Sequence, residues 1–176
     1  MIYLKCLLPL LGMLFVYTLR AQNSAPISFD DTRWQIDGEY SLETYQGKDC
    51  IWLKNGKATL PDVRFRNGVI EYDVAFSTKR GFFGAHFRAQ DDLNFEEYYM
   101  RAHQSGNPDA MQYTPVFNGF SGWQLYHGEG HGVAHKWRFD EWMHVKLVVN
   151  EQQMEVYIDD MENPVLHAFD LKREVE

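Results

Sequence analysis

The chain has 176 residues, 45% hydrophobic and 24% charged, a composition that fits a folded globular domain and excludes disordered, collagen-like and polytopic membrane chains. Asp and Glu outnumber Lys and Arg by 25 to 17, a formal charge of −8, so the sequence carries no basic footprint for nucleic acid or anionic lipid. Phe, Trp and Tyr make up 15% of the residues, more than a helical bundle needs and suited to sheets or to stacking on flat ligands.

In chain order, the first segment is one of targeting. Lys5 precedes an apolar run from Cys6 to Leu19, broken only by Pro9, Gly12 and Thr18, and Arg20-Ala21-Gln22 offers a small residue at a cleavage point. This predicts a signal peptide over residues 1–21 and a secreted or periplasmic product, residues 22–176, built as one domain. The run is shorter than the roughly 20 residues a spanning helix needs, so no membrane span is expected after processing. Cys6 comes too early to be a lipidated cysteine. Cleavage removes Lys5 and Arg20 and no acid, which makes the product more acidic still. It also leaves Cys50 without an intramolecular disulfide partner, and the strand-like run Cys50-Ile51-Trp52-Leu53 makes it a buried, inert thiol.

From Ile27 onward short strands alternate with turn signals, and no long window carries a helical stripe. Residues 68–77 alternate Ile70, Tyr72, Val74 and Phe76 with Glu71, Asp73 and Ala75, entered through the turn Asn67-Gly68. Residues 82–89 set Phe83, Ala85 and Phe87 against His86 and Arg88, and Asp91-Asp92 turns the chain into a strand over residues 95–103. These three strands are expected to be sequential antiparallel neighbours. The weakly periodic, Gly-rich stretch 106–135 predicts long loops around short strands. Met143, Val145, Leu147 and Val149, then Met154, Val156 and Ile158 across a turn at 150–153, form a second hairpin. The sum is an all-β fold, an antiparallel two-sheet sandwich with a barrel as second choice.

Six histidines, His86, His103, His127, His131, His135 and His144, lie between Gly81 and His144, so a site is expected there. If Phe83, Ala85 and Phe87 face the core, then His86 and Arg88 face the other way. If Tyr98, Met100 and Ala102 do the same, then Glu97, Tyr99, Arg101 and His103 join them. Such a face is equally well a solvated sheet surface. Its planar donors, carboxylate and stacking ring nevertheless suit a ligand dense in hydroxyls. Trp123 and Tyr126 add rings in a turn-rich segment, where aromatic core plugs are as common as ligand platforms.

Two other constellations weigh less. His127, Glu129, His131 and His135 would wrap a divalent metal as a flexible loop, but three glycines spoil the helix of the His-Glu-x-x-His motif, and a solvated loop with no metal is the better reading. Glu71 and Asp73 stand about 7 Å apart on one strand face, a spacing that invites glycoside hydrolysis. The Glu-x-Asp-x-x-Glu pattern of family 16 glycoside hydrolases ends here in Phe76, so the pair reads as surface residues. No Gly-x-Ser-x-Gly elbow, phosphate loop or dinucleotide fingerprint is present.

Residues 68–76, 81–90, 94–119 and 141–147 together resemble secreted bacterial concanavalin A-like lectin/glucanase (laminin G-like) domains, related to the 3-keto-disaccharide hydrolase domain family. The resemblance runs over residues 27–171. It implies a jelly-roll sandwich with a concave face that in many members meets carbohydrate. By position, His86, Arg88, Tyr99, Arg101, Gln112 and Trp123 match places where such domains carry concave-face or rim groups. Such domains usually end in a closing strand after the 159–171 region, and the short tail Lys172-Arg173-Glu174-Val175-Glu176 implies that this strand is lacking.

The leading expectation is therefore a carbohydrate-recognising module, with Arg88, Tyr99, Arg101, Gln112, Trp123 and Tyr126 as ligand-binding residues. The alternative is a glycan-acting hydrolase or lyase with Glu97 as base and His86 or His103 as acid. A third is a laminin G-like module that meets a protein partner.

Overall fold

The computed structural model describes residues 26–173, so the expected signal peptide lies outside the described residues. The chain divides into two compact units, one up to Pro61 and one from Asp62. In the first, β1 (Gln35–Tyr45) pairs antiparallel with β2 (Lys48–Thr59). Gln46 and Gly47, both at positive φ (46° and 78°), close the hairpin, as tight two-residue turns require. A register shift between Asp37 and Glu39 falls at Gly38, where φ is 101° and an added Cβ would lie 2.7 Å from the Gly56 backbone, so only glycine fits. Cys50 is half-buried in β2, and burial pushes its thiol pKa up, away from nucleophilic duty.

The second unit is a sandwich. One sheet has the order β11-β10-β9-β3, formed by β3 (Gly68–Val74), β9 (Met143–Asn150), β10 (Gln153–Ile158) and β11 (Leu166–Ala168). The other has the order β4-β5-β6-β7, formed by β4 (Phe82–Asp91), β5 (Asn94–Arg101), β6 (Met111–Phe117) and β7 (Phe120–Ser121), with β8 (Gly132–Val133) also on β6. Between β5 and β6 the chain makes one 3-10 turn, Ala102–Gln104. Alternation buries Val145, Leu147, Val149, Met154 and Val156 from the first sheet against Tyr98, Met100, Met111 and Tyr113 from the second, in one core. All ladders are antiparallel. The all-β jelly-roll sandwich expected from the sequence is the fold observed. No helix among the described residues is long and apolar enough to cross a membrane.

Three expectations need correction. The strands at 68–77, 82–89 and 95–103 are not sequential neighbours, because β3 pairs with β9 in the opposite sheet and only β4 and β5 are adjacent. Stretch 106–135 holds a full strand, β6, buried along nearly its whole length between its neighbours. Pro115 fits there because its nitrogen points away from β5. The Tyr113 N–H, two residues earlier, points to His131 O at 2.7 Å, so the position of Pro115 falls in the gap between β8 and β7, where no ladder bond is lost.

The third correction concerns Arg88. It takes a left-handed φ of 50° in a bulge that interrupts the β4–β5 register after Phe87, a conformation that costs a non-glycine residue roughly 1–2 kcal/mol. The bulge turns Arg88 away from His86 and buries it to 4% exposure. Its guanidinium donates to Arg66 O (2.8 Å), Arg173 O (2.9 Å), Asn67 Oδ1 (3.0 Å) and Glu151 O (2.6 Å), which offsets that strain. Beside it, the buried Glu96 carboxylate accepts from Tyr113 Oη at 2.8 Å and from the Arg173 N–H at 2.5 Å. Arg88 therefore tacks the two sheets together at one end of the sandwich and does not share the face on which the sequence placed it.

Candidate functional site

Register assembles the site from β4, β5 and β6. Phe82, Gly84 and His86 stand opposite Arg101, Tyr99 and Glu97, and Tyr99 and Glu97 stand opposite Gln112 and Thr114. Because Phe83, Ala85, Tyr98, Met100, Met111 and Tyr113 pack into the core, the former set occupies the outer face. Gly84 lets β4 and β5 approach, since an added Cβ would lie 1.9 Å from Tyr98 O.

The face is not simply solvated. Tyr99, Arg101 and Gln112 are only 5%, 7% and 2% exposed, covered by the turn that carries Trp123 and Tyr126. The N–H groups of Leu125 and Tyr126 close that turn on Gly122 O at 2.7 and 3.2 Å. Gln112 reaches up and latches it, Nε2 donating to Trp123 O at 2.7 Å and to Tyr126 O. Beneath, Arg101 Nη2 donates to Tyr99 Oη (2.9 Å) and to Gln112 Oε1 (3.0 Å), and Tyr99 Oη donates to the same Oε1 at 2.8 Å. Arg101 Nη1 pairs with Asp109. The guanidinium sits among three rings, 5.1 Å from the centroid of Tyr99, 5.6 Å from Trp123 and 5.8 Å from Phe82. Burial pushes the Tyr99 hydroxyl pKa up, with the Arg101 guanidinium opposing it, so the phenol stays protonated and available as a donor.

The far end of the face carries a second pair. The His86 ring stacks on Phe95 with centroids 4.1 Å apart, and its Nε2 lies 3.4 Å from Glu97 Oε1. His103 lies at the Arg101 end, its ring 5.5 Å from Phe82. Four residues of strand separate Glu97 from Arg101, about 13 Å by strand rise. Of the expected catalytic trio, then, Glu97 and His86 come together and His103 does not join them.

Of the expected ligand-binding set, Tyr99, Arg101, Gln112, Trp123 and Tyr126 form one constellation, and Arg88 lies apart in the bulge. The metal loop does not converge. The His131 ring lies 5.4 Å from Tyr126 and the His135 ring 4.6 Å from Trp137, with β8 between them fixed to β6. Among the described residues no group of three or more His, Cys, Asp or Glu could hold a metal ion. Glu71 and Asp73 project from β3 in the other sheet, where Asp73 Oδ1 meets His144 Nδ1 at 2.7 Å. Sequence reasoning missed Phe82 and Asp109. The second was recoverable in principle, since the connection from β5 to β6 returns the chain beside Arg101, whose N–H donates to Ala110 O at 2.7 Å.

No family model matches the chain, and no curated protein matches it. Among solved structures it is similar to a carbohydrate binding module, CBM66, from Bacillus subtilis, with a TM-score of 0.56 and 17% identity over 81% of this chain and 83% of that one. At this identity the likeness is one of fold: a two-sheet β-sandwich.

Proposed function

We propose that the chain is a carbohydrate-recognising β-sandwich module that binds a glycan on the outer face of β4, β5 and β6. The observation that carries this reading is the Tyr99–Arg101–Gln112 network, buried and mutually hydrogen-bonded, with half-exposed Trp123 (48%) and Phe82 (54%) rings beside it. Rings held rigidly at a sheet surface offer flat apolar faces for the C–H side of a sugar, and neighbouring carboxylates take its hydroxyls. A structural neighbour titled a carbohydrate binding module supports the same reading, as does the resemblance to concanavalin A-like lectin/glucanase domains. Delivery through a signal peptide over residues 1–21 to a secreted or periplasmic location belongs to the proposal.

Titration of the protein with an oligosaccharide panel tests it. Trp123→Ala removes a half-exposed ring and is expected to weaken binding by about tenfold or more with the fold intact. Unchanged affinity in this variant would overturn the placement of the site. One observation favours a second reading, a glycan-acting hydrolase or lyase related to the 3-keto-disaccharide hydrolases: the contact of His86 with Glu97 gives an imidazole and a carboxylate on the same face. That reading requires turnover that Glu97→Gln abolishes, whereas the binding module shows none.

A further inference from the structure

Resting on the glycan-binding reading, the hydrogen bonds already made inside the site narrow the ligand class. Beneath Trp123 the Tyr99 hydroxyl, the Gln112 amide and both terminal nitrogens of Arg101 donate within the site. Arg101 gives Nη1 to Asp109 and Nη2 to Tyr99 and Gln112, while its Nε is buried with no hydrogen-bond partner among the described residues. Tyr99 spends its hydrogen on Gln112, and Gln112 spends its amide hydrogens on the two turn carbonyls. Two carboxylates stay open to a ligand: Asp109, with a side chain 46% exposed, and Glu97 at 22%. Arg80 is an exposed cation over the Phe82 ring, 5.7 Å from its centroid, at the rim.

We infer that the site selects neutral, hydroxyl-rich oligosaccharides and rejects uronic and sulfated glycans. A sugar hydroxyl can donate to Asp109 or Glu97 while its ring lies on Trp123 or Phe82. An anionic group would meet two carboxylates, and to reach Arg101 it would have to break the Arg101–Asp109 pair, leaving a desolvated carboxylate without its counter-charge. Arg80 is solvated and offers an anion only a weak, salt-screened contact. The charged groups left open beside the rings are the carboxylates of Asp109 and Glu97, which take hydroxyl donors and repel anions.

The test is calorimetric titration of the protein with neutral laminari-, cello- and manno-oligosaccharides, oligogalacturonates and chondroitin sulfate oligosaccharides, each at low and high salt. A neutral oligosaccharide is expected to bind, with affinity changed by less than about twofold by salt. Asp109→Asn and Glu97→Gln are each expected to weaken it by about tenfold, while Arg80→Ala leaves it within about twofold. Thermal melts confirm that each variant folds, and Glu97→Gln, which leaves the Arg101–Asp109 pair intact, carries the test should Asp109→Asn unfold. Salt-sensitive preference for the uronate or sulfated ligands would overturn the inference and leave the glycan-binding reading standing, as would neutral binding indifferent to both carboxylate variants. Absence of binding to every glycan would sink the reading on which it rests.

Discussion

Tyr72 carries a hydroxyl buried in the sandwich core with no hydrogen-bond partner among the described residues, and burial holds its ionisation far above the ordinary phenol range. A buried hydroxyl without a partner costs more than it returns. Tyr72→Phe is therefore expected to raise stability by about 1 kcal/mol, read as a higher urea midpoint at unchanged slope. A lower midpoint would show that the hydroxyl is bonded. His135 answers to pH. Burial against Trp137 holds its pKa below the usual 6.5, so the folded protein favours the neutral ring and the unfolded chain takes up a proton first. Stability from this residue is whole above about pH 6.5 and falls as pH drops towards the lower folded value. Melting temperatures followed from about pH 7.5 to about pH 5 should fall less steeply in His135→Gln than in the parent. Equal slopes would refute the assignment.

The elements differ in how far the sequence disclosed them. β9 and β10 alternate throughout and β4 as far as Phe87, and β5 alternates apolar and polar residues in its sequence from Glu97 onward, so their phases and the outward set Glu97, Tyr99 and Arg101 were legible. Arg88 was not, because nothing in Phe87-Arg88-Ala89-Gln90 marks the bulge; no glycine signals the left-handed residue, and the conformation is held by acceptors far along the chain. β6 escaped notice because a strand buried along its length has no alternation to read, and Pro115 argues against one. The latch between β6 and the Trp123 turn joins residues of two elements, and only the folded register brings them together. Gln112→Leu keeps the buried volume and removes both bonds to the turn carbonyls. Faster limited proteolysis within residues 122–127 and about tenfold weaker glycan binding are expected. Proteolysis at the parental rate would show that the turn holds itself.

At the scale of the molecule, frequent short strands with turn punctuation pointed to a two-sheet antiparallel sandwich ahead of a barrel, because packed sheets bury many half-apolar strands in one core. The partner of each strand was less legible. Local hairpins such as β9–β10 are written in adjacent sequence, whereas the pairing of β3 with β9 depends on segments distant in the chain. That pairing has a consequence for the order in which the molecule can be completed during synthesis. β4, β5 and β6 follow one another and can zip together as soon as they emerge, so the face that carries Tyr99, Arg101 and Gln112 is built from local contacts. β3 is made before them, yet its hydrogen-bonding partner does not exist until the ribosome has passed Met143. Through that interval the early strand waits with an unpaired ladder, and the sheet of β3 and β9 closes beneath a face that is already laid down.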